Sequence, residues 1–169
     1  TDKDLVTARE SIKNKKIRFT IGTANKLPFK DRSFDTVVSW EVLEHIPVDS
    51  ENKMFKEVFR VLKPEGAFYL STPNSSLLTN LLDPAWWLIG HRHYTQQSLI
   101  KFANSNGFKV KDIKIKGRWW SLFLTLNLYF SKWVFKRRPL FDSLCLKKDT
   151  EEYLDDNGFV DIFVKFEKK

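Results

Sequence analysis

Three short stretches of this chain bring together side chains that can move protons or hold ions. In Glu41-Val42-Leu43-Glu44-His45, two carboxylates stand at i and i+3 and an imidazole at i+4, which on a helical turn puts all three on roughly one face. Such a face could do acid/base work, with His45 handling the proton, or hold a metal between Glu41, Glu44 and His45. The plainer role is to orient a loop. His91-Arg92-His93-Tyr94 offers two more imidazoles, His91 and His93, as bases or substrate contacts, again beside a plainer role in capping the helix that follows. Ser71-Thr72-Pro73-Asn74 ends in an amide that can orient a ligand by hydrogen bonding.

The elements that would position these groups can be read from periodicity. Leu5, Ala8 and Ile12 behind Asp2 predict a helix over 3–14, and the alternation of Ile17, Phe19 and Ile21 predicts a strand closed by Gly22. Phe34–Trp40 is apolar and β-branched enough to be a strand buried on both faces. Asp49 and Ser50 can cap a helix whose Met54, Phe55, Val58, Phe59, Val61 and Leu62 form its apolar face, ended by Pro64 and Gly66. Ala67–Thr72 reads as a strand, Thr95 as the start of a helix running to Gly107, and Val110, Ile113 and Ile115 as a strand. Val160, Ile162, Val164 and Phe166 give a last strand that could pair antiparallel with 109–116. Strands alternating with helices mean an α/β sheet, where ligands sit outside the carboxyl ends of the strands. Residues 22–25, 39–41 and 71–74 all fall at such ends.

The 169 residues, 42% hydrophobic and 30% charged, suit one soluble domain over 1–169. Cys145 is the only cysteine, so no internal disulfide can form, and a reducing, cytoplasmic setting is expected. The net charge of +8 would attract phosphate, but it is spread through Lys-rich surfaces and both ends. A solvated surface accounts for most of it, which keeps nucleic-acid binding as an alternative only.

Taken in order, Gly22-Thr23-Ala24-Asn25-Lys26-Leu27-Pro28-Phe29, Ser33 to Ile46 and Val61 to Asn74 resemble the second half of a class I S-adenosylmethionine-dependent methyltransferase, of the type 11 and ubiquinone-pathway kind. The resemblance implies a Rossmann-like methyltransferase sheet of order 3-2-1-4-5-7-6, of which this chain would supply strands 3 to 7. It implies S-adenosylmethionine as cofactor, with Thr23 and Ala24 at the adenine edge and Ser39 and Trp40 against the cofactor. Thr23 stands where relatives usually carry an acid. The Gly-x-Gly loop that opens the family's fold is absent, so the chain is expected to lack an upstream segment and to be inactive alone. In ubiquinone-pathway O-methyltransferases the Glu-Val-x-Glu-His cluster has been linked to a divalent cation, a further implication for Glu41, Glu44 and His45. The acceptor side is expected to involve Asn74, Trp87 and Tyr94, with 81–89 as an apolar lid and hence an acceptor with a greasy portion.

Residues 117–157 fall outside the resemblance and form an insertion within the domain. Trp119 to Phe135 is too short and too interrupted to span a membrane. As one helix it would carry Arg118, Ser121, Thr125, Lys132 and Lys136 on a narrow polar stripe and aromatic residues elsewhere, suited to a lipid surface at the inner face of the membrane, to a protein partner or to its own core. The function expected is methyl transfer to oxygen or carbon of a small or lipid-like acceptor, such as a quinone or glycolipid precursor. The non-enzyme alternative is a degenerate module that binds a membrane or partner through 117–140.

Overall fold

The computed structural model describes residues 2–139 and 142–169. In chain order the elements are α1 (Asp2–Ser11), β1 (Phe34–Trp40), a 3-10 turn (Leu43–His45), α2 (Glu51–Val61), β2 (Leu62–Pro73), α3 (Leu77–Leu82), α4 (Pro84–Ile89), α5 (Gln96–Ser105), β3 (Phe108–Lys116), α6 (Trp119–Trp133), α7 (Asp142–Glu152) and β4 (Asp161–Lys168). β1 runs parallel to β2, and β4 runs antiparallel to both β2 and β3, giving the order β1-β2-β4-β3. This is the 4-5-7-6 portion of the expected sheet.

The period-two pattern decides which face is buried. Phe68 and Leu70 of β2 and Ile162, Val164 and Phe166 of β4 are at most 2% exposed and pack against Phe55 and Val58 of α2 and Leu99 and Ala103 of α5. Phe55, Phe68, Phe108 and Phe166 form a cluster with all six centroid distances between 5.5 and 6.1 Å. Burying each such ring contributes roughly 1.5–3 kcal/mol. Lys168 closes the C-terminal end of α2: its Nζ donates to Phe59 O (2.6 Å) and Leu62 O (2.7 Å), the carbonyls a helix end leaves unpaired.

Three expectations are corrected here. Residues 17–21 alternate as a strand should, yet form none, because strand backbone needs a partner and no described strand lies beyond β1 for it to join. For the same reason β1 is an edge strand, not a doubly buried one, and Val38 and Trp40 are each 51% exposed. Ser50 occupies the position before α2 but makes no side-chain cap; its Oγ donates instead to Pro47 O at 2.5 Å. Thr95 does cap α5 as expected, its side chain accepting from Ser98 N at 3.2 Å.

The insertion leaves and rejoins the sheet at one point. Gly158 N donates to Ile115 O at 2.7 Å, and a Cβ at Gly158 would stand 2.2 Å from the Lys116 carbonyl carbon, so only glycine permits this approach. α6 then packs on α7 through polar groups. The Glu152 carboxylate accepts from the backbone N–H of Arg118 (2.9 Å), Trp120 (3.0 Å) and Ser121 (3.2 Å), capping α6 from another helix. Among the described residues no helix is long and apolar enough to cross a membrane.

Candidate active site

The chain turns sharply where β1 ends. Glu41 has a φ of +50°, sparsely allowed for a side chain with a Cβ. Its backbone N–H donates to Ser71 O and Oγ, both at 3.2 Å, and its carboxyl accepts a short hydrogen bond from the Ser71 hydroxyl. β2 therefore holds the residue that follows β1. Glu44, in the 3-10 turn, has a side chain only 1% exposed, and Thr72 Oγ1 donates to its Oε2 at 3.2 Å. Burial, reinforced by the Glu41 charge, pushes the Glu44 carboxyl up to about 7; burial also raises Glu41, against the Ser71 hydrogen bond.

Two cavities meet at Trp40, the one residue that lines both. The smaller, about 300 Å³, is lined by Gly22, Thr23, Ala24, Leu27, Pro28, Ser39 and Met54 among others, with no titratable side chain in its wall. The Ser39 hydroxyl is buried there without a hydrogen-bond partner. The loop that forms this wall is held by α2: Glu57 accepts from Leu27 N (2.8 Å), and Arg60 donates to Leu27 O (3.0 Å), Phe29 O (2.8 Å) and Asp31 Oδ1 (2.7 Å).

The larger cavity, about 550 Å³, opens at the ends of β1, β2 and β4 under α3, α4, α6 and α7. Glu41, Asp83, Asp149 and Asp161 line it, and neither Lys nor Arg does, although the chain carries +8 overall. Tyr153 donates a short hydrogen bond to Asp161 Oδ2, and Ser121 Oγ donates to Asp149 Oδ1 at 2.5 Å. Burial, then the Glu41 charge, raises the Asp161 carboxyl well above the usual carboxylate range; burial, then Asp161, raises the Tyr153 phenol. Aromatic walls are supplied by Trp40, Tyr153 and Phe163, with Phe163 5.8 Å from Trp40 and 5.9 Å from Tyr153 between ring centroids.

The residues singled out by sequence divide between these places. Thr23, Ala24, Ser39 and Trp40 share the smaller cavity. His91 lines the larger one, its Nε2 buried and without a partner; burial, then His45, holds its pKa below the ordinary value. His45 meets the His91 ring edge-on at 4.4 Å, and its Nε2 lies 3.7 Å from Glu44 Oε1. His93 also lines the cavity but cannot serve as the expected base: Nδ1 is engaged by Asn80 Oδ1 at 2.7 Å and Nε2 by Asp83 Oδ2 at 2.9 Å, leaving no free ring nitrogen.

None of the expected substrate contacts lines this cavity. Asn74 Nδ2 donates to Phe159 O at 2.9 Å, tying β2 to the start of β4. Tyr94 is buried in the core, and its hydroxyl donates to Glu51 Oε1 at 2.9 Å. Trp87 is 66% exposed, with Nε1 on Leu81 O at 3.2 Å. The Glu41, Glu44 and His45 metal set is corrected too. The positive φ turns Glu41 toward Ser71, Glu44 points inward to Thr72 and His45 is largely exposed, and no three potential ligands among the described residues are grouped to hold a metal. Asp161, Tyr153 and Asp149 were missed, since each lies in or beside the insertion and has no local motif.

Residues 1–70 match the family model described as a methyltransferase domain. A probable S-adenosylmethionine-dependent methyltransferase of Mycolicibacterium smegmatis is 33% identical over 91 residues, covering 54% of this chain and 35% of that protein. The mitochondrial ubiquinone biosynthesis O-methyltransferase of Dictyostelium discoideum is 27% identical over 118 residues, covering 62% of this chain and 36% of that protein. The matches thus span about a third of these curated relatives. The fold is similar to that of an S-adenosylmethionine-dependent methyltransferase from Mesorhizobium loti, with a TM-score of 0.63 at 16% identity over 99% of this chain and 77% of that one. Residues 1–70 thus match a methyltransferase domain, and the 4-5-7-6 strand order gives the chain the fold of the S-adenosylmethionine-dependent methyltransferases it is similar to.

Proposed function

We propose that the chain carries the acceptor-facing part of an S-adenosylmethionine-dependent methyltransferase, with the cofactor's adenosine in the smaller cavity and a small or lipid-like acceptor in the larger one. The observation that carries this reading is the single wall, Trp40, between a neutral cavity and one rich in proton-exchanging groups. The residues present fit an adenosine: Thr23 and the unpartnered Ser39 hydroxyl offer hydrogen bonds within an otherwise apolar slot, and Trp40 offers a stacking face. When bound, the cofactor supplies a methyl group already activated by its sulfonium, so the chain's own task is alignment and removal of an acceptor proton. Glu41, Asp161 and the free nitrogen of His91 face the place where that proton would be released.

The acceptor belongs to the quinone or lipid-precursor class in this reading, with the ubiquinone-pathway relative and the apolar walls of the cavity in support. Residues 117–140 would then be a peripheral contact with a membrane. A second reading, an acceptor carrying an ammonium group, is favoured by four carboxyl groups and no Lys or Arg around the cavity. Calorimetric titration of S-adenosylhomocysteine into the protein and its Trp40→Ala variant tests the core of the proposal. Saturable binding weakened by the variant supports it, while binding that the variant leaves unchanged, or no heat from the unaltered protein, counts against adenosine recognition by the smaller cavity. Competition between a quinol and an alkylamine for the second cavity, in a transfer assay, separates the two acceptor classes.

A further inference from the structure

Helix α6 is inside out for a helix on a soluble domain. Its two serines face inward: Ser121 is 5% exposed and Ser131 1%, and Ser121 is bonded to Asp149 of α7. Its aromatic residues other than Tyr129 are exposed to solvent. Trp119, Phe123 and Phe130 are 57%, 46% and 60% exposed and, at 100° per residue, fall within about 40° of one another on the helix surface. Trp133, Val134 and Phe135 continue the apolar surface past the helix end, each more than half exposed. Hydrophobic transfer opposes leaving this much apolar area in water, so the arrangement calls for something apolar outside.

Charge identifies that occupant. Lys136, Arg137 and Arg138 follow the stripe directly, and among the described residues none of them is in an ion pair with a carboxylate. Residues 117–141 contain no Asp or Glu at all. A second copy of the chain would bring its own cations to this face with no carboxylate to answer them. An anionic lipid surface supplies both the apolar layer and the countercharge.

We propose that α6 docks flat on an anionic bilayer, with Trp119, Phe123 and Phe130 entering the headgroup boundary and Lys136, Arg137 and Arg138 engaging lipid phosphates. This rests on the reading of 117–140 as a contact segment and stands whether or not methyl transfer does. At 1.5 Å per residue the 15-residue helix is about 22 Å long, short of the roughly 30 Å apolar core of a bilayer, so it lies in the interface instead of crossing. An adjoining flank of the helix, through Leu122, Thr125 and Tyr129, lines the larger cavity. Docking therefore brings that cavity to the membrane, where a lipid-borne acceptor would enter from the bilayer.

The test is partitioning of the full chain onto phosphatidylcholine vesicles with and without phosphatidylserine, with quenching of tryptophan fluorescence by brominated lipid as a readout that needs no variant. Expected are binding and quenching with phosphatidylserine, and roughly fivefold weaker binding for each cation lost in Arg137→Gln and Arg138→Gln. Trp119→Ser combined with Phe130→Ser should lower partitioning at least about tenfold at unchanged circular dichroism. Absence of quenching on either vesicle, or partitioning that ignores both sets of changes, overturns the proposal. So does a concentration-dependent dimer that the Trp119 and Phe130 changes dissolve while vesicles remain unbound, which would assign the face to a second copy. Because S-adenosylhomocysteine binding is not the readout, failure here and failure of the methyl-transfer reading are separate results.

Discussion

The two cavities that share Trp40 differ in almost every physical respect. The smaller is walled by Gly22 to Phe29, Val37 to Trp40 and α2, has no ionisable group in its lining, and is assembled from residues close in sequence. The larger brings Glu41 together with Asp149 and Asp161, more than a hundred residues further along the chain, and places their carboxyl groups where burial raises every one of them. A neutral slot suits recognition of an uncharged heteroaromatic base by shape and a few hydrogen bonds. A cavity of protonatable carboxyls suits chemistry in which a proton must go somewhere. The comparison teaches that binding and proton handling are built by different parts of this chain, the first by local sequence and the second by the sheet register and the insertion.

The sharpest way to break that division is Asp161→Asn. It should cost about a hundredfold in turnover, the size expected for loss of a general base, and leave S-adenosylhomocysteine affinity unchanged in a calorimetric titration. A parallel loss of affinity would mean the cavities are not separable. Next in size is Glu44→Gln. The folded carboxyl binds its proton up to about pH 7, against 4.5 when unfolded, so the folded state holds more protons in that window and stability falls as pH rises through it. The glutamine should flatten that slope and add up to about 3 kcal/mol at neutral pH, read as the urea midpoint at several pH values. An unchanged pH profile would show that Glu44 is not held protonated.

Trp40→Ala touches the shared wall and should weaken S-adenosylhomocysteine by about thirtyfold, or ~2 kcal/mol, through the lost stacking surface. If the cavities are joined only there, the variant also raises the acceptor KM. The smallest effect is expected from Thr23→Asp, which places a carboxylate at the adenine edge of the neutral slot. A charge-assisted hydrogen bond there should tighten binding by about threefold to tenfold, and a loss of affinity would show that this slot does not present residue 23 to the ligand.

How much of this could be read in advance depended on the distance over which each feature is encoded. The strand from Phe34, the helices after Ser50 and Thr95, and the antiparallel partner of β3 were legible because hydrophobic period and cap chemistry are local. Gathering of Thr23, Ala24, Ser39 and Trp40 in one cavity was legible from the motif resemblance, and for Ser39 and Trp40 also from their place at the end of a strand. Residues 17–21 were misread because alternation sets which face a strand shows, whereas forming it needs a neighbour. Asn74, Tyr94 and His93 looked like ligand contacts, but their partners, Phe159, Glu51 and the Asn80–Asp83 pair, claim their polar atoms first.

By itself, then, the sequence determined the α/β class, the order of the main elements, the resemblance to a methyltransferase domain and an aromatic helix in the insertion, all of which follow from periods and motifs short enough to act within one element. Tertiary structure alone decided that Asp161 pairs with Tyr153 beside Glu41, that Ser121 and Thr125 of α6 turn toward α7 and the cavity, and that its aromatic stripe is left outside. The physical reason is that burial and hydrogen-bond satisfaction are properties of what surrounds a side chain, and those surroundings come from residues the local sequence does not contain.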